Sequence, residues 1–264
     1  METFLKLTAK DLYTKFCDPQ KGMSGITVVF PNRRARLFFD EELSHCCDRP
    51  VWSPEYTTIQ DLFQSQSDLR IADRVELVTI LYDVYRDVMQ SDETLDSFWS
   101  WGELMISDFD DVDRNMAPAG QLFRALKDQK ELSDMSFLSD EQAQVLRRFF
   151  GEMDNRAGEP SKLKKEYDRI WKALGEIYDR YTSVLAEKGL AYSGMLQRRV
   201  IERLDTDRFA SDKYAFIGFN SLDTAEKSLF RALRDAGKAV FYWDHDIFYP
   251  GQNLDRCRTQ LALI

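Results

Sequence analysis

Gly25-Ile26-Thr27-Val28-Val29-Phe30 (GITVVF) is a short β-branched run, entered through a glycine and closed by Pro31. It predicts a buried strand. Arg33–His45 follows with helical spacing and sets Ala35, Phe38, Phe39 and Leu43 on one side. Tyr56–Thr58 reads as a second short strand. Thr58 then opens the pattern TIQD, in which its hydroxyl caps a helix by accepting from the Asp61 amide. The far end of the chain repeats this grammar. Tyr214–Phe219 (YAFIGF) is a strand, Asp223 starts a capped helix (DTAE) that stops at Gly237, and Lys238–Trp243 (KAVFYW) is another strand. Strand, helix and strand with short connections imply a right-handed parallel crossover.

Between these ends the period changes to 3.6 residues. Asp73–Met89 opens with DRVE and lines up Leu77, Leu81, Val84 and Val88. Leu95–Asp113 holds Trp99, Trp101, Leu104 and Phe109. Ser139 begins SDEQ ahead of Val145, Leu146, Phe149 and Phe150. Ser161–Lys188 steps by three and four from Leu163 through Tyr167, Trp171, Leu174, Tyr178 and Tyr181 to Leu185, and Gly189 ends it. Ser193–Leu204 is a shorter helix. The expected fold is therefore α/β: a parallel sheet assembled from residues 1–70 and 206–264, interrupted by a large all-helical insertion at 71–205.

Composition narrows the function. The 264 residues are 44% apolar and 31% charged, which is globular usage. Lys and Arg number 36 against 45 Asp and Glu, a net charge of −9, so the chain as a whole is no general nucleic-acid binder. No apolar run reaches the roughly 18 residues of a membrane helix, and METFLKLTAKDLY lacks the continuous apolar core of a signal peptide. Cys17, Cys46, Cys47 and Cys257 form no C-x-x-C, and His45 and His245 have no ligand-spaced neighbours. Free thiols in a reducing cytoplasm, with no metal site, is the expectation.

Four places carry residues with chemistry. The loop Pro31-Asn32-Arg33-Arg34 lies between a strand and a helix, where phosphates bind in nucleotide-binding α/β folds. It has no Gly, Lys, Ser or Thr to wrap phosphates and hold Mg²⁺, so its arginines are either phosphate contacts or simply solvated. The acidic run Asp108, Asp110, Asp111 and Asp113 offers paired carboxylates for Mg²⁺ or acid–base chemistry, or else a solvated or salt-bridged helix surface with Phe109 and Val112 turned inward. The strand end Ile217-Gly218-Phe219-Asn220 lacks the Asp-Glu pair of a nucleoside triphosphatase, and Asp223 and Glu226 are better explained as a helix cap. Trp243-Asp244-His245-Asp246 closes the last strand, at a position that faces a ligand or forms a turn. Asp128-Gln129-Lys130 fits half of a restriction-type nuclease motif, but no Pro-Asp precedes it.

Three stretches together, Ile26–Phe39, Phe98–Met116 and Tyr214–Tyr249, resemble the N-terminal part of AddB-like helicase–nucleases, above all the Bacteroidetes branch labelled PD-(D/E)XK nuclease family. The resemblance implies a P-loop-NTPase-like, superfamily-1 helicase lobe with a helical insertion, in a protein that processes DNA double-strand breaks for recombinational repair. Its exonuclease domain would lie beyond these residues, in a longer parent. The Walker A position falls on Asn32, Arg33 and Arg34 without Gly-Lys-Thr. The Walker B position falls on Ile217, Gly218 and Phe219 without Asp-Glu. Thr58 matches a DNA-contacting motif. Asp244 and Asp246 match a later motif whose Gln position is Ile247.

The resemblance thus implies an inactive ATPase without ATP or Mg²⁺, no catalytic residue in this stretch, and a scaffold for DNA or a partner helicase–nuclease subunit. Two other readings stand beside it: an active nucleotide-binding enzyme with an unconventional phosphate loop, and a pure protein-interaction module. Clustering of Arg33, Arg34, Arg36, Arg198 and Arg199 would favour DNA, and dispersal would favour the interaction module.

Overall fold

The computed structural model describes residues 3–127 and 162–244. Ser139–Phe150, Asp128–Lys130, His245, Asp246, Ile247 and Cys257 lie outside the described residues. The chain divides into two compact units, 1–66 with 203–264, and 67–202.

The first unit is built on a four-stranded parallel sheet. Its elements are α1 (Phe4–Phe16), β1 (Ile26–Phe30), α2 (Arg34–Cys46), β2 (Glu55–Thr58) and α3 (Ile59–Ser65), joined by β5 (Lys213–Ile217), a helix at Thr224–Asp235 and β6 (Ala239–Tyr242). The strand order is β2-β1-β5-β6. Val28 sits opposite Tyr56 on one side and Ala215 on the other, so β1 and β5 are direct neighbours despite their separation in sequence. All five residues of β1 are buried. Ile26, Val28 and Phe30, with Ala215 and Ile217, meet Ala9 and Leu12 of α1 and Phe39 and Leu43 of α2. On the opposite face the Phe216 ring lies 4.1 Å from Phe230 of the Thr224–Asp235 helix, which also contacts Phe241. A sheet covered on both faces needs continuous apolar strands, which is what β1 and β5 supply.

Two details of this unit depart from the sequence reading. Phe38 is exposed, not part of the apolar side of α2. Phe39 and Leu43, one turn apart, aim into the sheet, and the neighbouring position is swung roughly 100° away from them. The strand expected to reach Phe219 stops at Ile217, because Gly218 takes φ +76° and breaks the extended backbone.

The second unit contains β3 (Arg70–Ile71), α4 (Arg74–Met89), α5 (Leu95–Arg114), α6 (Ala119–Lys127), α7 (Lys162–Glu187), β4 (Leu190–Ala191) and α8 (Ser193–Glu202). The Thr224–Asp235 helix of the first unit is α9. Asp73 and Glu76 form a reciprocal capping box on α4, and Asp223 and Glu226 form the same box on α9. The insertion is not all-helical. β3 and β4 pair in parallel, and the Arg70 and Ala72 amides donate to the Gly189 and Ala191 carbonyls at 2.9 and 3.0 Å. Two residues per strand are too few to leave a period-2 signal. The core of this unit includes Leu81 of α4, Phe98 and Phe109 of α5, and Ile177, Tyr181 and Leu185 of α7. Among the described residues no helix is long and apolar enough to cross a membrane.

Candidate functional site

In a parallel sheet every strand delivers its following loop to the same edge. Phe30 is in register with Thr58, so the loop after β1 and the cap of α3 emerge side by side. β5 lies on the other side of β1, and β6 beyond it. The connection from β1 runs toward β2, and that from β5 runs toward β6. The edge beyond β1 and β5 is therefore the point where the winding reverses, the usual ligand crevice of an open α/β sheet.

Asn32 does local work there. Its Oδ1 accepts from the Arg34 and Ala35 amides at 3.1 and 3.2 Å. These are first-turn amides of α2, the groups that a phosphate would otherwise take. The Arg33 guanidinium donates to both carboxylate oxygens of Asp61, at 3.2 and 3.3 Å. The Thr58 hydroxyl donates to Asp61 at 2.8 Å and accepts from the Asp61 amide at 3.1 Å. The Thr58 hydroxyl, and after it the Arg33 guanidinium, hold the Asp61 carboxyl below its ordinary range. Arg33, Thr58 and Asp61 are thus one connected group, and Thr58 itself is buried.

The other arginines of this turn are arranged differently. Arg36 lies over the Tyr56 ring, 4.9 Å from its centroid. Burial, and then the hydrogen bond from its hydroxyl to Asp40 at 2.7 Å, raise the Tyr56 phenol. Arg34 is exposed on the first turn of α2. Beside it α2 presents two exposed apolar side chains, Leu37 at 71% and Phe38 at 58% of full exposure.

The positions after β5 and β6 are mostly structural. Ile217 and Phe219 are buried, and the Phe219 ring packs edge-on against Phe230 at 5.4 Å. The Gly218 amide donates to the Tyr242 carbonyl at 3.1 Å. Ile217 and Phe219 are therefore core residues. Asp244 is exposed.

The acidic run is salt-bridged as expected, through Asp110 and Asp113, but it is not a solvated surface throughout. Asp108 and Asp113 are buried, and Asp113 has no solvent exposure at all. Its carboxylate accepts from the Tyr178 hydroxyl at 2.6 Å, from the Tyr192 hydroxyl, and from Arg198 Nη1 at 2.6 Å. Arg198 also donates to the Ala117 carbonyl and to Glu202. Burial, joined by the Asp113 charge, pushes the Tyr178 and Tyr192 phenols far up. Asp110 pairs with Arg114 and accepts from the Gly194 amide, both at 2.5 Å. The chemistry is a charge buried with its counter-charge and two neutral donors, tying α5, α7 and α8 together. A signal for it existed: Asp113 continues the α5 stripe of Phe98, Gly102, Met105 and Phe109 at i+4 spacing.

Arg198 is therefore held by Asp113 and is not a free surface charge. Among the described residues no group of three or more His, Cys, Asp or Glu is placed to hold a metal ion. No protein-family model matches the chain, and no curated protein matches its sequence.

Proposed function

We propose that the chain is a helicase-like, non-catalytic scaffold, the N-terminal region of a helicase–nuclease that processes DNA double-strand breaks. It positions DNA or a partner helicase–nuclease subunit in the cytoplasm while other parts do the exonuclease chemistry. The observation that carries the reading is the loop at the β1/β5 edge. It stands where a P-loop would cradle phosphates, yet Asn32 takes two of its amides, Arg33 is paired to Asp61, and no glycine, lysine or metal-binding hydroxyl is present. Phosphoryl transfer without those groups loses most of its charge stabilisation. Parallel strands with α-helical crossovers support the P-loop-like interpretation, and the likeness of the three quoted stretches supports the DNA context.

On this reading, single-stranded DNA meets the face carrying Asn32, Arg33, Arg34 and Thr58, weakly and in a salt-sensitive manner, with a Kd on the order of 10⁻⁴–10⁻⁶ M. Fluorescence anisotropy with a labelled oligonucleotide at two salt concentrations tests it. Reversing Arg33 and Arg34 to Glu should weaken binding and flatten its salt dependence. Equal binding with an unchanged slope would remove this loop as the DNA site. DNA-stimulated ATP turnover abolished by Arg33→Ala would overturn the non-catalytic reading.

A second reading, protein docking without DNA, is favoured by two observations. Leu37 and Phe38 are exposed beside Arg34, and Arg198 is consumed by Asp113. It predicts that Phe38→Ser abolishes partner capture while oligonucleotide binding stays absent throughout.

A further inference from the structure

The side of α2 turned away from the sheet carries exposed residues at three- and four-residue spacing: Arg34, Leu37, Phe38 and Glu41. Phe39 and Leu43 occupy the opposite side, in the core. Leu37 and Phe38 flank the line that joins Arg34 to Glu41, and both keep more than half of their surface in solvent. Two large apolar side chains side by side in solvent mark a contact surface. Arg34 and Glu41 are two turns apart, about 10 Å along the axis, too far to pair within the helix. Among the described residues both use only backbone groups in hydrogen bonds. The Arg34 amide donates to Asn32, and the Glu41 carbonyl accepts from Ser44. The neighbouring charges are engaged: Arg33 pairs with Asp61, and Glu42 accepts from the Thr3 hydroxyl at 3.1 Å. The charge order also opposes the helix's own dipole. Arg34 sits on a first turn that holds no acidic residue, where anions are the favoured charge.

We propose that this side of α2 is a self-association surface, packing antiparallel against α2 of a second copy of the chain about a two-fold axis between Leu37 and Phe38. A two-fold contact is self-complementary, so each residue meets the one equally far beyond the axis. Arg34 and Glu41 are equally far from the point between residues 37 and 38. Arg34 therefore meets Glu41 of the second copy, and Glu41 meets its Arg34. Leu37 and Phe38 close over their own copies. A parallel pairing would instead set arginine against arginine and glutamate against glutamate.

Charge complementarity selects the occupant. An unrelated protein would have to carry this order of charge and apolar surface independently, whereas a second copy carries it by construction. The antiparallel arrangement also opposes the two helix dipoles favourably. One helix face is smaller than the roughly 800 Å² per partner of a stable complex. Association through it is weak and reversible. The inference goes beyond the DNA reading and rests only on the exposed side of α2.

Sedimentation equilibrium of the full chain over a range of protein concentrations, without nucleic acid, tests it. The average mass should rise from one chain towards two as concentration increases. Arg34→Glu and Glu41→Arg should each weaken association by about tenfold, because symmetry repeats the like-charge contact. An equimolar mixture of the two variants should associate as strongly as the wild type, since each then supplies the charge the other needs. Phe38→Ser should leave the chain monomeric, with circular dichroism checking that each variant folds. A wild-type chain that stays monomeric, a dimer indifferent to the single reversals, or a mixture no stronger than its components would overturn the assignment. Leaving out nucleic acid keeps that outcome separate from the DNA reading.

Discussion

At Asp113 a carboxylate without solvent contact is held by Tyr178, Tyr192 and Arg198. Removing one partner of such a pair leaves the other charge stranded. Asp113→Ala should therefore lower the unfolding free energy by about 3–5 kcal/mol, whereas Tyr178→Phe should cost only about 1 kcal/mol. Urea titrations of the three proteins compare them, and a loss below 1 kcal/mol for Asp113→Ala would show that the cluster is not stabilising as drawn. The same phenols set a pH dependence. Tyr178, Tyr181 and Tyr192 all ionise above their ordinary 10.0 when folded, chiefly through burial. Their contribution to stability is complete below that value. It is lost as the pH rises above it, because the unfolded chain then ionises while the native one resists. The urea midpoint should drop between about pH 8 and about pH 11. Replacing Tyr181 with Phe should shrink the drop, and an unchanged profile in that variant would argue against the burial effect.

On the scale of one element, α2 shows how a helix divides adjacent residues. Phe39 packs edge-on against Phe30 with ring centroids 5.6 Å apart, while Phe38 faces outward. Phe39→Ala should cost about 3–5 kcal/mol. Phe38→Ser should change stability by no more than about 0.5 kcal/mol. Thermal or urea unfolding separates the two, and comparable losses would mean that α2 is rotated from the position described. Close approach between α5 and α8 makes another demand. A Cβ at Gly194 would lie 2.3 Å from the Asp110 carbonyl oxygen, so no side chain fits without moving backbone. The helix of Gly194 therefore depends on that glycine for space, not for an unusual φ.

Across the molecule, the sheet joins residues far apart in sequence through the β1–β5 pairing. Among the described residues β1 and β5 are bonded along both edges, while β2 and β6 are each bonded along one. Hydrogen exchange should follow that order. Amides of Val28, Val29, Ala215 and Phe216 should exchange most slowly in the first unit, and those of Ala239–Tyr242 should exchange faster. Equal protection in β6 would mean that another segment covers its other edge.

Patterns that repeat within one element were readable directly. The continuous apolar run of β1, the capping boxes at Asp73 and Asp223, the Thr58 cap and the stops at Gly189 and Gly237 all depend on neighbours within a few residues. The position of the loop carrying Asn32 and Arg33 was legible for the same reason, since it follows from where β1 ends. Its internal pairing was not, because Asp61 approaches Arg33 from beyond another strand. Nor could local spacing tell Phe38 from Phe39, find the two-residue ladder of β3 and β4, or bury Asp113 beside an arginine from α8. Those outcomes depend on which distant segment packs alongside: a charged residue on an apolar stripe is solvated or buried according to whether a counter-charge reaches it, and only the folded chain brings Arg198, Tyr178 and Tyr192 to Asp113.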